Sequence, residues 1–544
     1  MASQGSNGKR VRPPSFKLEI PGNAEIKARL LQKMGEVRKK MTELTKKSVN
    51  NAEILEGLLD SWIKVNNTAS TTPAQRPNTL RQTRQTTVNS QLYVTTTTSL
   101  QKFASIVESH SRGCRSRLSI SQVFRRGHAG LLKLKCARRG GKSTHSYWWA
   151  TSETFPGGKY LVNERVLHGL MFSGMRPSHY RRFAAGSNIG IIDETKRKDF
   201  YDRHSPLVEC EYQKSVEMAL LKEMACYDMK ADEEDQEEWQ GIDVISDARH
   251  GHRRNAKDTS VVVLGERTKK VLGHFHITKA LDPCTQRHEK IGVTQFYEYM
   301  KEMDVPVRIH THDRNMSINA YVRSLDGPIN QNDRWHGIKG LKKALNTICN
   351  GRVCDSGKTW HWQLQNKVEP IATHAHWAIE HCDGDPEKLQ ESLINVVAHY
   401  TNDHTNCHAN ARCKTDEDYE PSKPLLESPR ARELLTNCIK KSTLYSSAKD
   451  FVYGKYSFHV ESFNNIMNMF HDKRIYYSDQ EYNTRSQISV LYWNENSGRK
   501  VNSVWKANAT NSRSRSAPLR NNYTDPTFHY RKRIWQEHCE NLLN

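Results

Sequence analysis

Between Gly241 and Asp313 the chain reads GIDVISDARHG, TSVVVLG and KVLGHFHI, then a helix-like stretch, then VPVRIHTHD. The three apolar runs are rich in β-branched residues and separated by short polar loops, a pattern that predicts three consecutive antiparallel strands. From about Gly292 to Met303, Phe296, Tyr297 and Met300 fall on one side of a helix, and Val305 to Ile309 reads as a fourth strand. A unit of this kind must bury its strands against a helix, so the expected fold class is α/β. Two acids occupy distinctive places in it: Asp247 on the first strand and Asp313 just past the fourth.

An acid at a strand end is most often a turn residue or a helix cap, and Asp313 can cap the helix expected over Asn315 to Ser324. Asp243 shares a face of the first strand with Asp247 and competes with it. Asp247 is preferred, because the polar and basic residues that follow put it at an open strand end. Carboxylates converging from separate elements suit Mg²⁺ or Mn²⁺, which take oxygen ligands and retain water. Two such ions make an oxygen nucleophilic and stabilise a leaving oxygen, the requirement for breaking a phosphodiester.

The charge balance points to the same substrate. Lysine and arginine number 82 against 60 acids in 544 residues, a net charge of +22, with pI near 9.4. That surplus fits a polyanionic partner, nucleic acid before a membrane surface. No apolar stretch reaches the roughly 20 residues of a spanning helix, and the first residues lack the apolar core of a secretory signal. A soluble, nuclear protein is expected, with Lys9, Arg10 and Arg12 as a candidate import signal. The 12 cysteines are dispersed, as in a reduced compartment.

The remaining sequence divides into regions. Residues 1–99 read as a polar, basic start, an amphipathic helical stretch and a Thr/Ser/Gln-rich linker. Residues 100–160 are basic and β-rich, with Arg125, Arg126, Lys133, Lys135, Arg138 and Arg139 as candidate DNA contacts. Alternation in LLKLK predicts a strand with its lysines on the wet face. Trp148 and Trp149 are either a nucleic-acid surface or a core pair. Cys114 and Cys136 supply half of a zinc site, to be completed by His128 or His145. Residues 161–238 read as three short helices, helix-turn-helix-like, with the basic third one (Asp193 to Tyr201) available to a groove, then a further helical segment and an acidic linker. Arg249, Arg253, Arg254 and Arg314, beside the two acids, are further candidate phosphate contacts.

Three strands, a helix and a fourth strand, with acids at these two places, resemble the first half of an RNase H-like domain. SDARHGHRRNAKDTS, HTHDRNM and NDRWHGIKGLKKAL resemble eukaryotic DDE-type cut-and-paste DNA transposases of the Kolobok, hAT and Mutator-like grouping, or proteins derived from them. VESFNNIMNMFHDKRIYYSDQEYNTRSQISVLYWNEN resembles the last catalytic helix of those enzymes, with Glu461 in the acidic position. The resemblance implies Asp247, Asp313 and Glu461 as catalytic metal ligands and Asp333 and His336 as supporting residues. It also implies a core running over 239–350 and 446–496, interrupted by a helical insertion over 351–445; residues 497–544 themselves read as a basic tail, with a short amphipathic helix packed on the body as the equal alternative for its end. Within the insertion, His399, His404, Cys407 and Cys413 have spacings that permit a structural zinc. The implied activity is metal-dependent cleavage of double-stranded DNA at transposon ends and strand transfer into a target, by a homodimer or larger assembly. The alternatives are a domesticated DNA-binding protein without catalysis and an RNase H-like nuclease without strand transfer.

Overall fold

The first described element is a helix where only strands were expected. Helix α1 (Thr97–Gly113) precedes the antiparallel strands β1 (Leu118–Arg126), β2 (Ala129–Cys136) and β3 (Ser146–Ala150). The computed structural model describes residues 91–114, 116–136, 145–231, 240–251, 256–506 and 519–544. The helical stretch and linker expected within 1–90, Arg138, Arg139, the acidic run, Arg253 and Arg254 lie outside the described residues. In β2, Leu132 and Leu134 are buried while Lys135 is exposed, as the alternation predicts. The tryptophans divide: Trp149 donates Nε1–H to Ser99 O at 2.8 Å and packs on Phe103, whereas Trp148 is exposed.

Helices α2 (Leu161–Phe172) and α3 (Pro177–Gly186) follow, then α4 (Glu194–Ala231), a single helix of 38 residues. The sequence suggested two separate segments here, Asp193 to Tyr201 and a later helical stretch, and Pro206 lies between them. Proline in a helix removes one backbone bond and crowds the turn before it. Against that cost, Leu207, Val208, Tyr212, Val216, Ala219 and Leu220 form a buried stripe at helical spacing. The stripe commits this helix to the interior, so the third helix of the expected helix-turn-helix is one end of a long core helix.

The central sheet is built from β4 (Ile242–His250), β5 (Asp258–Gly265), β6 (Val271–Thr278), β7 (Val307–His312) and β8 (Ile329–Asn332) in the order β6-β5-β4-β7-β8. β4, β5 and β6 form the expected antiparallel meander. Helix α5 (His288–Glu302) carries the chain across to β7, which pairs parallel with β4 and with β8. On one face α5 buries Val293, Phe296 and Met300 against Val261, Val263 and Leu272. It lies close to the sheet at Gly292, where a Cβ would sit 2.5 Å from Val261. The other face, with Ile245, Val262 and Leu264, is covered by Tyr212 and Val216 of α4 and by two helices that come much later. Covering on both sides explains why β5 is apolar along its length.

Helices α6 (Met316–Arg323) and α7 (Arg334–Cys349) flank β8, and then α8 (Val368–Glu380), α9 (Pro386–His399) and α10 (Pro429–Lys441) form a helical region. Its own core includes Leu345, Leu364, Ala375, Leu389, Leu426 and Leu435. The chain returns to the sheet as two helices, α11 (Phe458–Phe470) and α12 (Asp479–Asn496), where the sequence suggested one. Residues 497–544 are not simply a tail. They form a two-stranded ribbon, β9 (Val501–Lys506) and β10 (Leu519–Tyr523), and a helix, α13 (His529–Leu543). Tyr530 and Ile534 of α13 are buried in the cluster of Leu167, Phe172 and Phe200. Among the described residues no helix is long and apolar enough to cross a membrane.

Candidate active site

Strand pairing brings two of the expected acids together. β4 and β7 run parallel with Ser246 opposite His312, so the next residues along, Asp247 still within β4 and Asp313 just past the end of β7, lie side by side. Asp247 accepts from Ala248 N at 2.8 Å and from Asn464 Nδ2 at 2.8 Å. Asn464 belongs to α11, and Glu461, three residues earlier in the first turn of that helix, is exposed. The helix that covers the sheet therefore delivers Glu461 to the same region, although a whole domain separates it from Asp313 in sequence.

The electrostatics reflect this convergence. Burial pushes the Asp247 carboxyl up to about 7, and the charges of Asp313, Glu289 and Glu461 add to the rise against the opposing Ala248 N–H. Among the described residues no lysine or arginine forms an ion pair with Asp247. Such mutual repulsion is what a bound cation relieves. Asp243, the competitor, is fully buried and paired with Arg308 at 2.7 Å and Lys455 at 3.0 Å. Those cations occupy it as a structural ion pair at the other end of the strand.

Asp313 is held from a second direction. Asp333 is 3 % exposed and caps α7 by accepting from His336 N at 2.8 Å. It also accepts from Ser457 N at 2.6 Å and Ser457 Oγ–H at 2.9 Å. Ser457 Oγ lies 3.1 Å from Asp313 Oδ1, and His336 Nδ1 lies 3.1 Å from Asp333 and 3.4 Å from Asp313. Asp333 thus fixes two side chains that both face Asp313. The cap that Asp313 was expected to provide is made by Asn315, which accepts from Ser317 N.

Glu289 escaped the sequence reading. It sits in the first turn of α5, where an acid is ordinarily explained by the helix dipole. Here Asn315 Nδ2 donates to its Oε2 at 2.7 Å. Burial and then the charge of Asp313 raise its pKa against that bond. The signal that could have found it is its position at the start of the helix joining the meander to the strand that ends at Asp313.

The basic residues divide by surroundings. Arg249 is not a phosphate contact: it is 5 % exposed, and its guanidinium donates to Asn468 Oδ1 at 2.7 Å and His471 O at 3.0 Å. The polar run after Asp247 suggested an open strand end, but the C-terminal turn of α11 covers it. Arg125 is half-buried and donates to Asn188 O at 3.0 Å, and Lys133 lies over the Trp148 ring at 5.2 Å. Arg126, Lys135 and Arg314 are exposed.

Two clusters have the makings of metal sites. His399, His404, Cys407 and Cys413 bring one ligand atom each to within 4.8 Å of one another. Cys407 Sγ lies 3.6 Å from His399 Nδ1 and 3.8 Å from His404 Nδ1. The second group is His110, Cys114, Cys136 and His145, within the same limit. His128 is excluded from it, because its ring nitrogens are engaged by Tyr180 OH at 2.8 Å and Ile189 O at 3.2 Å. His110 Nε2 and His145 Nδ1 are buried without a hydrogen-bond partner, as ligand nitrogens would be in the absence of their ion. His110 was missed because it lies on a helix within the stretch that the sequence reads as β-rich.

Residues 91–298 match the Mutator-like transposase family model. The matched segment runs from the start of α1 into α5 and contains Asp247 and Glu289. It supports a transposase-related function. Of the three groups that the sequence resembles, the Mutator-like one is supported. No curated protein matches the chain.

Proposed function

We propose that the protein is a DDE transposase with an RNase H-like core, in which Asp247, Asp313 and Glu461 hold Mg²⁺ or Mn²⁺. The observation that carries this reading is the convergence of these acids from β4, the end of β7 and α11, with the Asp247 carboxyl raised by burial and then by the charges of the others. A meander followed by parallel strands, in the order β6-β5-β4-β7-β8, supports the fold, and the Mutator-like match supports the reaction class.

Bound at these carboxylates, two divalent ions would activate the attacking oxygen and stabilise the leaving one. Asp333 anchors Ser457 and His336, and these orient Asp313. A single Nδ1–H on His336 can serve Asp333 or Asp313, not both at once. Glu289 deepens the negative field and steadies Asn315 beside Asp313. Arg314, exposed next to the acids, is suited to a DNA phosphate. The products would be cleaved transposon ends whose free hydroxyls attack target DNA. Assembly on two ends favours a dimer or larger complex, acting in the nucleus. Structural zinc fits both histidine–cysteine groups, which offer four N and S donors each.

Incubating the protein with candidate end DNA, a target plasmid and Mg²⁺ or Mn²⁺ tests the reading. Joined products are expected, and Asp247→Asn should abolish them while leaving DNA binding nearly intact. Cleavage without joining would indicate a nuclease, and binding alone a domesticated protein.

A further inference from the structure

Among the described residues β9 and β10 pair only with each other, and every residue of both strands is exposed. A two-stranded hairpin with nothing behind it is marginal in water, yet this one displays Val501, Val504, Trp505, Leu519 and Tyr523 to solvent. The ribbon leaves the core after α12, whose Asn494 bonds both backbone groups of Val271. That is the end of the sheet at which β4 begins, not the end that carries Asp247 and Asp313.

The chemistry of the ribbon selects a partner. From Arg499 to Thr524 the sequence contains no aspartate or glutamate, while Arg499, Lys500, Lys506 and Arg520 flank or lie within the two strands. The register sets Trp505 opposite Arg520, Ser503 opposite Asn522 and Val501 opposite Tyr523 on one face. The Arg520 guanidinium lies 6.0 Å from the Trp505 ring centre and that of Arg499 5.8 Å from Tyr523. Arg499 is steadied by donating to Thr524 O at 2.8 Å. Cations, aromatic planes and amides without a carboxylate complement a phosphate backbone and base edges. A two-stranded ribbon is also of a size that the major groove admits. A second copy of the chain, with net charge +22, is a poor electrostatic match.

We infer that the β9–β10 ribbon is a duplex-DNA-binding arm, whose contacts are separate from those that hold DNA at the acids. The inference deepens the proposed function but is read through affinity, not through cleavage. The test compares the full chain with the variant R499A/K500A/K506A/R520A on a labelled duplex of random sequence, by anisotropy over a range of salt. Binding should weaken by about tenfold or more at moderate salt. The slope of log affinity against log salt should fall by up to about 3.6, at roughly 0.9 for each of the four phosphates no longer neutralised. Trp505→Ala should weaken binding while keeping the slope, and Arg520→Lys should keep both. Since all these positions lie on an exposed ribbon, unchanged thermal melting checks that the body remains folded. Unchanged affinity and slope would overturn the inference. So would loss of self-association with DNA binding intact, which would make the ribbon a protein contact. Failure of the wild-type protein to cleave DNA would defeat the proposed function and leave this result standing.

Discussion

Replacing Asp247 with asparagine should stabilise the metal-free protein at high pH. A carboxyl moved from 3.8 to about 7 opposes folding by roughly 4 kcal/mol once the pH exceeds 7, at about 1.4 kcal/mol per pH unit. The sign follows from proton binding: between about pH 4 and 7 the folded state holds a proton that the unfolded chain has released, so stability falls as pH rises through that window. Asp247 is half-buried, and solvent screening reduces the penalty to about 2 kcal/mol. Asparagine keeps the bond from Ala248 N but turns an amide toward Asn464 Nδ2, costing about 1 kcal/mol. The net gain at pH 8 is therefore about 1 kcal/mol, roughly 2–4 °C in melting temperature for a domain of this size. Near pH 4.5 only about a quarter of the penalty remains, less than the lost bond costs, and the variant should melt slightly below wild type. Thermal melts in EDTA at the two pH values provide the assay. Excess Mg²⁺ should stabilise wild type, by about 2.7 kcal/mol at a hundredfold excess over Kd, and leave the variant unmoved. A variant less stable than wild type at both pH values would refute the reasoning.

Other substitutions probe the surroundings. Asp243→Ala leaves Arg308 and Lys455 without their shared buried carboxylate and should cost about 3–5 kcal/mol in chemical denaturation; a loss below about 1 kcal/mol would remove its structural role. Arg249→Ala should destabilise the protein by about 2 kcal/mol, through the bonds to Asn468 and His471, without changing the salt slope of DNA binding. Cys407→Ser and Cys136→Ser should each lower bound zinc by one equivalent in elemental analysis of dialysed protein, and unchanged zinc would dismiss the corresponding site.

Local pattern carried the sheet. The β-branched runs at Val261–Leu264 and Val271–Ile277, and the helix after them, are where periodicity put them, and parallel pairing of β4 with β7 sets Asp247 beside Asp313. Glu461 was beyond the reach of spacing, because a domain with its own core intervenes and only tertiary packing of α11 returns it. Arg249 misled because the strand end after it is closed by a helix more than two hundred residues away in sequence. The continuity of α4 through Pro206 was not legible in local pattern, since only the buried stripe that follows it offsets the break. Glu289 was hidden by the ordinary explanation for an acid at a helix start and His110 by lying on a helix in a stretch read as β-rich, and only their neighbours distinguish them.

The central claim is that Asp247, Asp313 and Glu461 together bind divalent metal, and Mn²⁺ titration followed by the electron paramagnetic resonance of the free ion tests it without knowledge of any DNA sequence. The account predicts saturable binding by wild type that is weakened at least about tenfold, near 1.4 kcal/mol, by each of Asp247→Asn, Asp313→Asn and Glu461→Gln, with Glu266→Gln unchanged as a control. Equal binding by wild type and all three variants would contradict it.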